Sequence, residues 1–363
     1  MNPLANRVFL IAIMIAVIFA CNRPSEGSRK AGEHITQTLV AVAETAPTPQ
    51  KKNDDSADDP AIWINRENLE ESVIIGTDKK GGLATYDLDG NLLNYYALGK
   101  MNNCDLRYDF VAGNDTFDIL AASNRSRHSI SLYKISSGGV LDSVHSRTIK
   151  SEVTDEVYGL CMYKSPKTGR YYVYLNSKAG EIEQWELFAK GKLVDAKLVR
   201  SFNVNTQTEG MMADDSCAVV YIGEEIAGIY KFDAEPDGAT SGKFISLSSE
   251  ENENIRYDIE GLTIYPTDSL NGYLIASSQG NYSFAVFERQ GDNKYLGSFR
   301  IVEGKVDGVE ETDGIDVTPV SLGQKYPKGM FVVQDGYNYE GEKLISQNFK
   351  MISWSAIEMY FIE

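Results

Sequence analysis

The chain has 363 residues, with 35 Lys and Arg against 52 Asp and Glu, giving a formal charge of −17. This acidic balance excludes nucleic acid and an anionic membrane surface as partners, because phosphate backbones are bound chiefly by a basic excess, and it suits cation binding. Tyr at 21, Gly at 31 and Pro at 10 fit β-structure joined by tight turns, and His34, His128 and His145 are too few imidazoles for a histidine-based mechanism.

At the N-terminus Arg7 precedes an apolar run from Val8 to Ala20, too short to span a bilayer comfortably. The run ends Ile18-Phe19-Ala20-Cys21, which resembles a lipoprotein cleavage site. Residues 1–21 are therefore read as an export signal with Cys21 as the lipidated residue, and 22–34 as a polar tether. The mature protein is expected as a membrane-anchored lipoprotein facing the periplasm or cell exterior, or as a secreted protein if Cys21 is incidental. Any membrane contact is through that anchor. Cys104, Cys161 and Cys217 are widely spaced among apolar residues, which predicts buried free thiols and no disulfide framework.

From residue 35 onward the chain repeats. One segment type begins with an acidic residue and runs into an apolar strand: Asp58-Asp59-Pro60-Ala61-Ile62-Trp63, Asp105-Leu106-Arg107-Tyr108, Glu156-Val157-Tyr158-Gly159, Glu209-Gly210-Met211, Glu260-Gly261-Leu262 and Asp313-Gly314-Ile315. Counted from Asp59 the spacings are 46, 51, 53, 51 and 53 residues. Each is followed by an apolar strand, a short polar loop and a strand ending in an aromatic, as in Val73 to Gly76, Thr77 to Lys80 and Leu83 to Tyr86. A hairpin turn and a fourth strand usually complete the unit. With helical periodicity nearly absent, βαβ units are excluded. The pattern predicts an all-β fold over residues 35–363: a six-bladed β-propeller with four-stranded antiparallel blades. Residues 35–45 look like an extra strand, expected to close the ring as the outer strand of the last blade and so hide a sheet edge.

In a propeller blade the first strand lines the channel, and the loop between strands two and three returns to the end where that strand starts. The acidic starts and these loops should therefore meet at one channel mouth. The starts offer Asp58, Asp59, Asp105, Glu156, Glu209, Asp258, Glu260, Asp307 and Asp313, and the loops offer Lys79, Arg125, Lys178, Glu224, Glu225, Gln279 and Asp335. Crowded carboxylates raise one another's pKa unless a cation sits among them. Oxygen donors without Cys or His select Ca²⁺ or Mg²⁺, and an irregular cluster favours Ca²⁺. Three basic side chains beside bound metal then call for a polyanionic ligand, of which phosphate is the natural choice. Gly238 to Lys243 falls short of a P-loop, and there is no GxSxG, HExxH or GxGxxG motif.

Several longer motifs resemble those of the alkaline β-propeller phytases of bacilli. They include Asp58-Asp59-Pro60-Ala61-Ile62-Trp63, Tyr108-Asp109-Phe110, Ser123-Asn124-Arg125-Ser126, Glu156-Val157-Tyr158-Gly159 and Thr208-Glu209-Gly210. Asp258-Ile259-Glu260-Gly261-Leu262-Thr263, Ser277-Ser278-Gln279-Gly280-Asn281, Thr312-Asp313-Gly314-Ile315-Asp316-Val317 and Gln347-Asn348-Phe349-Lys350 follow in the same order. The resemblance implies Ca²⁺-dependent hydrolysis of phytate, myo-inositol hexakisphosphate, taken as its calcium complex, by a protein expected to be a monomer. It implies Asp59, Glu209, Glu225, Asp258, Glu260, Gln279, Asp307, Asp313 and Asn338 as metal ligands, some for stabilising ions. It implies Lys79, Arg125, Tyr158 and Lys178 as phosphate contacts, with Glu209 and Asp313 joining them in the catalytic group. The loop after Arg125 is shorter than the family pattern, with Arg127 and His128 in place of a small polar insertion, and Val309-Glu310-Glu311 also differs. Two other readings compete: a calcium-dependent six-bladed lactonase or esterase, against which the three cations tell, and a non-catalytic, calcium-stabilised surface-binding propeller.

Overall fold

Most strands carry apolar or small residues at successive positions, so both faces of each sheet need cover. Ile74 and Ile75 show the consequence: Ile74 packs with Tyr86 and Phe349, and Ile75 with Cys104 and Leu120. In the computed structural model, which describes residues 32–49 and 55–361, six antiparallel sheets stand around a central axis, with one buried apolar cluster between each pair of neighbours. The expected six-bladed propeller is what forms. The export signal, Cys21 and the tether through residue 31 lie outside the described residues.

Blades one to five are meanders, and blade six takes its outer strand from the N-terminal segment. The innermost strands are Ala57–Trp63, Met101–Ala112, Val157–Lys164, Thr208–Asp214, Ile259–Pro266 and Ile315–Thr318. Each touches the next, and the sixth touches the first, so the ring is closed. The second strands are Val73–Asp78, Asp115–Asn124, Tyr171–Ser177, Val219–Glu224, Gly272–Ser278 and Met330–Asp335.

The N-terminal segment does more than expected. Ala43–Glu44 is the outer strand of the sixth blade, antiparallel to Asn348–Ser353. Three residues earlier, Thr38–Val40 runs parallel to Tyr295–Val302 as a fifth strand on the fifth blade. Leu39 and Ala41 are buried in the apolar cluster between those two blades. One short segment thus covers two sheet edges, and the bend between its halves follows from crossing from one edge to the other. Cys104 and Cys161 are buried free thiols between blades, as expected, and Cys217 is a half-buried free thiol.

Candidate active site at the channel mouth

A bulge near the start of the innermost strand sets the site. In blades one to five the strand pairing slips there, so that two residues of the inner strand face one of its neighbour. The bulged pairs are Asp58-Asp59, Asn102-Asn103, Tyr158-Gly159, Glu209-Gly210 and Glu260-Gly261, and Asp313-Gly314 occupies the same place just before the inner strand of blade six. The bulge leaves an amide without its ladder partner, and a buried polar side chain on strand two takes it. Asp59 N–H donates to Thr77 Oγ1 (2.8 Å), Asn103 N–H to Ser123 Oγ (3.0 Å), Gly159 N–H to Asn176 Oδ1 (2.6 Å) and Gly261 N–H to Ser277 Oγ (3.0 Å).

The carbonyls of the leading bulge residues are held from the preceding blade. Thr77 Oγ1 donates to Asn102 O, Ser123 Oγ to Tyr158 O, Asn176 Nδ2 to Glu209 O, Gly261 N–H to Asp313 O and Gly314 N–H to Asp58 O. Blades one and two carry Asp59 and Asn103 at the trailing position, but in blades three and four a side chain would collide: a Cβ at Gly210 would sit 1.6 Å from Glu260 O, and one at Gly159 1.8 Å from Glu209 O. The glycines are therefore a packing requirement of strands that converge on an axis.

The six leading residues, Asp58, Asn102, Tyr158, Glu209, Glu260 and Asp313, form the inner tier. A second tier comes from the residue ending each second strand or just after it. Lys79, Arg125, Lys178, Glu225 and Gln279 each donate a backbone N–H to a carbonyl just ahead of their own inner strand: those of Ser56, Lys100, Glu156, Gln207 and Asp258. The structure brings Lys79, Arg125, Tyr158, Lys178, Glu209, Glu225, Glu260, Gln279 and Asp313 to these two tiers, with Asp258 half-buried beside them.

The tiers divide by charge. On one side Glu209, Glu225 and Glu260 are buried, with one carboxylate oxygen from each within 4.8 Å of the others. Burial, then the neighbouring Glu209, pushes the Glu260 carboxyl well up, and burial raises Glu225 to about 7. Glu209 is raised by burial and next by Asp313. Tyr158 donates its hydroxyl to Glu209, and burial with the Glu209 charge raises that phenol, so it stays a donor. Lys79 meets Asp313 Oδ2 at 2.6 Å, Asp55 Oδ1 at 2.7 Å and Asp58 Oδ1 at 2.9 Å. Burial lowers its pKa but the three carboxylates outweigh that, so Lys79 is charged. One ammonium does not compensate three acids: burial still raises Asp58 to about 8 and Asp313 to about 7. Gln279 Nε2 donates to the other Asp313 oxygen at 2.7 Å.

On the other side Arg125 donates to Asn102 Oδ1 (3.0 Å) and to Glu156 Oε2 (2.6 Å), and Lys178 Nζ lies 3.6 Å from the same Glu156 oxygen. Both cations pack over the Tyr158 ring, Lys178 at 4.7 Å and Arg125 at 5.6 Å. Asn102 joins the halves, for its Nδ2 donates to Glu209 Oε1 at 2.5 Å. Sequence reasoning missed Asn102 because it was searching for charge. Its place in the blade spacing, 44 residues after Asp58, was the available signal.

Five expected site residues, Asp59, Asp105, Asp307, Asp335 and Asn338, lie elsewhere. The Asp59 side chain turns along the channel wall, where Oδ2 accepts the Cys104 amide of the next blade at 3.0 Å. Asp307 and Asn338 surround the buried Lys350 ammonium, which they share with Glu44 and with Asp335 at 3.2 Å. Asp105, read as an acidic start, is paired with Arg107 and accepts the Met162 amide.

The acidic half fits a divalent cation. Asp58 Oδ2, Glu225 Oε1 and Glu260 Oε2 are buried oxygens that meet no protein donor, which is costly for a carboxylate unless a cation is present. All donors are oxygens, the set preferred by calcium and magnesium. Beside it stand two cations and a phenol, the equipment for holding a phosphoryl oxygen.

Comparison with known proteins gives the family. The family described as Phytase matches residues 7–363. A 3-phytase of Bacillus subtilis (strain 168) is 46% identical over 329 residues, covering 89% of this chain and 85% of that protein. The chain belongs to the phytase family.

Proposed function

We propose that this phytase hydrolyses the phosphomonoesters of phytate at the channel mouth in a calcium-dependent reaction. The observation that carries the reading is the pairing of a buried carboxylate cluster, with oxygens no protein donor meets, and a cationic face built on Arg125, Lys178 and Tyr158. Glu209, Glu225 and Glu260 would hold calcium, with Asp58, Asp313, Gln279 and rim Asp258 completing the acidic side. When bound, calcium supplies charge that offsets these carboxylates and acidifies water, which suits a neutral to alkaline optimum. Arg125 and Lys178 bind a phosphate and offset the charge on its oxygens as the ester bond breaks. The Tyr158 hydroxyl remains protonated with its proton directed at Glu209, and its ring supports the two cations. The protons of Lys79 are taken by Asp55, Asp58 and Asp313, so it acts by charge from beneath. No covalent intermediate is needed, consistent with a mouth built without Cys or His.

Phytate is taken as its calcium complex in this reading, since a bare polyanion would meet the acidic half with repulsion. Asp59 is kept as a ligand candidate only through its second oxygen, because Oδ2 already accepts the Cys104 amide. Asp307 and Asn338 serve a stabilising ion. Glu44, Asp307 and Asp335 place three acids around the single Lys350 ammonium, an excess that a second cation would balance. The protein acts as an exported monomer, anchored through Cys21 or secreted.

The test is phosphate release from phytate by residues 32–363 at neutral to alkaline pH, with calcium and with excess chelator. Release only with calcium is the expected result. Release unaffected by chelator would remove the calcium dependence, and no release from folded, calcium-binding protein would remove the reaction.

A further inference from the structure

Glu156 is the unexplained member of the cationic face. It lies two residues before Tyr158, outside the inner tier, and its carboxylate sits where Arg125 and Lys178 converge. A single oxygen, Oε2, receives the Arg125 guanidinium at 2.6 Å and faces Lys178 Nζ at 3.6 Å. That is how two cations hold one oxygen of a bound anion. The hydrogen bond from Arg125 keeps the Glu156 carboxyl below its ordinary range, so it is ionised. The backbone at this point is fixed, for Glu156 O accepts the Lys178 amide and its own N–H donates to Asp155. The side chain is not: it is 37% exposed and can turn to solvent without burying its charge. Arg125 meanwhile keeps one buried donor, Nε, that no protein acceptor meets.

We infer that Glu156 is a built-in competing anion that occupies the phosphate place between Arg125 and Lys178 and must swing out when a phosphate enters. The inference rests on the reading of these two cations as phosphate contacts. Two consequences follow from the exchange. A phosphate dianion, with more charge and more acceptor oxygens than a carboxylate, displaces Glu156, whereas singly charged anions compete poorly. And the returning carboxylate opposes retention of inorganic phosphate, so product leaves faster than Arg125 and Lys178 alone would allow. Glu156 is thus a specificity-determining and positioning residue whose removal tightens binding, which is the opposite of what loss of a structural support does.

The experiment is titration of inorganic phosphate, at one fixed calcium concentration, into wild type, Glu156→Gln and Glu156→Ala, with KM and kcat for phytate measured alongside. The dissociation constant for phosphate should fall by roughly three- to tenfold in both variants, the worth of one partly exposed charge-assisted hydrogen bond. KM should fall with it, kcat should not rise, and product inhibition should strengthen. Unchanged or weaker phosphate binding in folded Glu156→Gln overturns the inference, and this variant decides the matter if Glu156→Ala melts early. If wild type turns over phytate and binds phosphate but the variants bind it no better, only the role of Glu156 falls. If no protein binds phosphate, the reading of Arg125 and Lys178 falls with it.

Discussion

Asp58 and Asp59 are adjacent on one strand, yet Asp58 faces the mouth with an oxygen that no protein donor meets while Asp59 accepts the amide of Cys104. The same contrast holds around the channel. Glu209, Glu260 and Asp313 crowd together at the mouth. Further along the same strands Asp105 accepts the Met162 amide and Asp316 the Ile62 amide, each from a neighbouring blade. Those lower carboxylates stitch blade to blade and are partnered without any ion. The mouth carboxylates are arranged at the expense of stability, which the proposed cation would offset. Residue type does not distinguish the two sets; the position of the bulge does.

The largest difference should come from removing one acid of each kind. Asp105→Ala leaves the buried Arg107 guanidinium with Asp215 as its one remaining carboxylate, and loss of one partner of a buried pair costs about 3–5 kcal/mol. Denaturant unfolding should show that loss with or without calcium. Glu260→Gln should lower turnover of phytate by about 10²- to 10³-fold, the scale of losing one preorganised electrostatic contact. In chelator its stability should hold or rise, because a buried repulsion is relieved. A large loss of stability in Glu260→Gln would erase the contrast.

The pH dependence sharpens it further. Burial holds Asp58 near 8, and Asp313 and Glu225 near 7, in the folded, metal-free protein, while in the unfolded chain such groups titrate near 4. The folded state therefore binds more protons between these limits. The stability these groups contribute is fully present below about pH 4 and is lost as pH rises to about 8. Melting temperature in chelator should decline across that window, and the gain on adding calcium should widen with pH, since an ion bound by the native state stabilises it by mass action. A gain from calcium that is equal at pH 5 and pH 8 would count against a mouth filled by the ion. The smallest expected effect on stability is that of Lys178→Ala, within about 0.5 kcal/mol because the side chain is partly exposed, with turnover nonetheless reduced about tenfold. Unchanged turnover would remove Lys178 from the phosphate site.

Much of this was legible in the sequence, and the part that was not has one cause. Six repeats with apolar residues on both faces of each strand specify a propeller, and Glu209-Gly210, Glu260-Gly261 and Asp313-Gly314 mark three mouth positions correctly. The alignment slipped in the first three blades, where Asp59, Asp105 and Glu156 stood for Asp58, Asn102 and Tyr158. A bulge interrupts the two-residue alternation of a strand, so alternation cannot say which member of Asp58-Asp59 faces the axis. Aligning instead on the trailing glycine would have placed Tyr158, since Gly159 is the residue that approaches the next blade. The Lys350 cluster was illegible for another reason: Glu44 and Lys350 meet only because the N-terminal segment returns to close the sixth blade.

On the proposed function, the carboxylates facing the mouth, Glu209, Glu225 and Glu260 above all, hold calcium, and the blade-stitching acids such as Asp105 do not. Calorimetric titration of calcium into metal-free wild type, Glu260→Gln and Asp105→Asn tests it most directly. Glu260→Gln should lose a bound ion or bind it at least about tenfold more weakly, a change of about 1.4 kcal/mol, while folded Asp105→Asn should bind as wild type does. Equal stoichiometry and affinity in wild type and Glu260→Gln would contradict it.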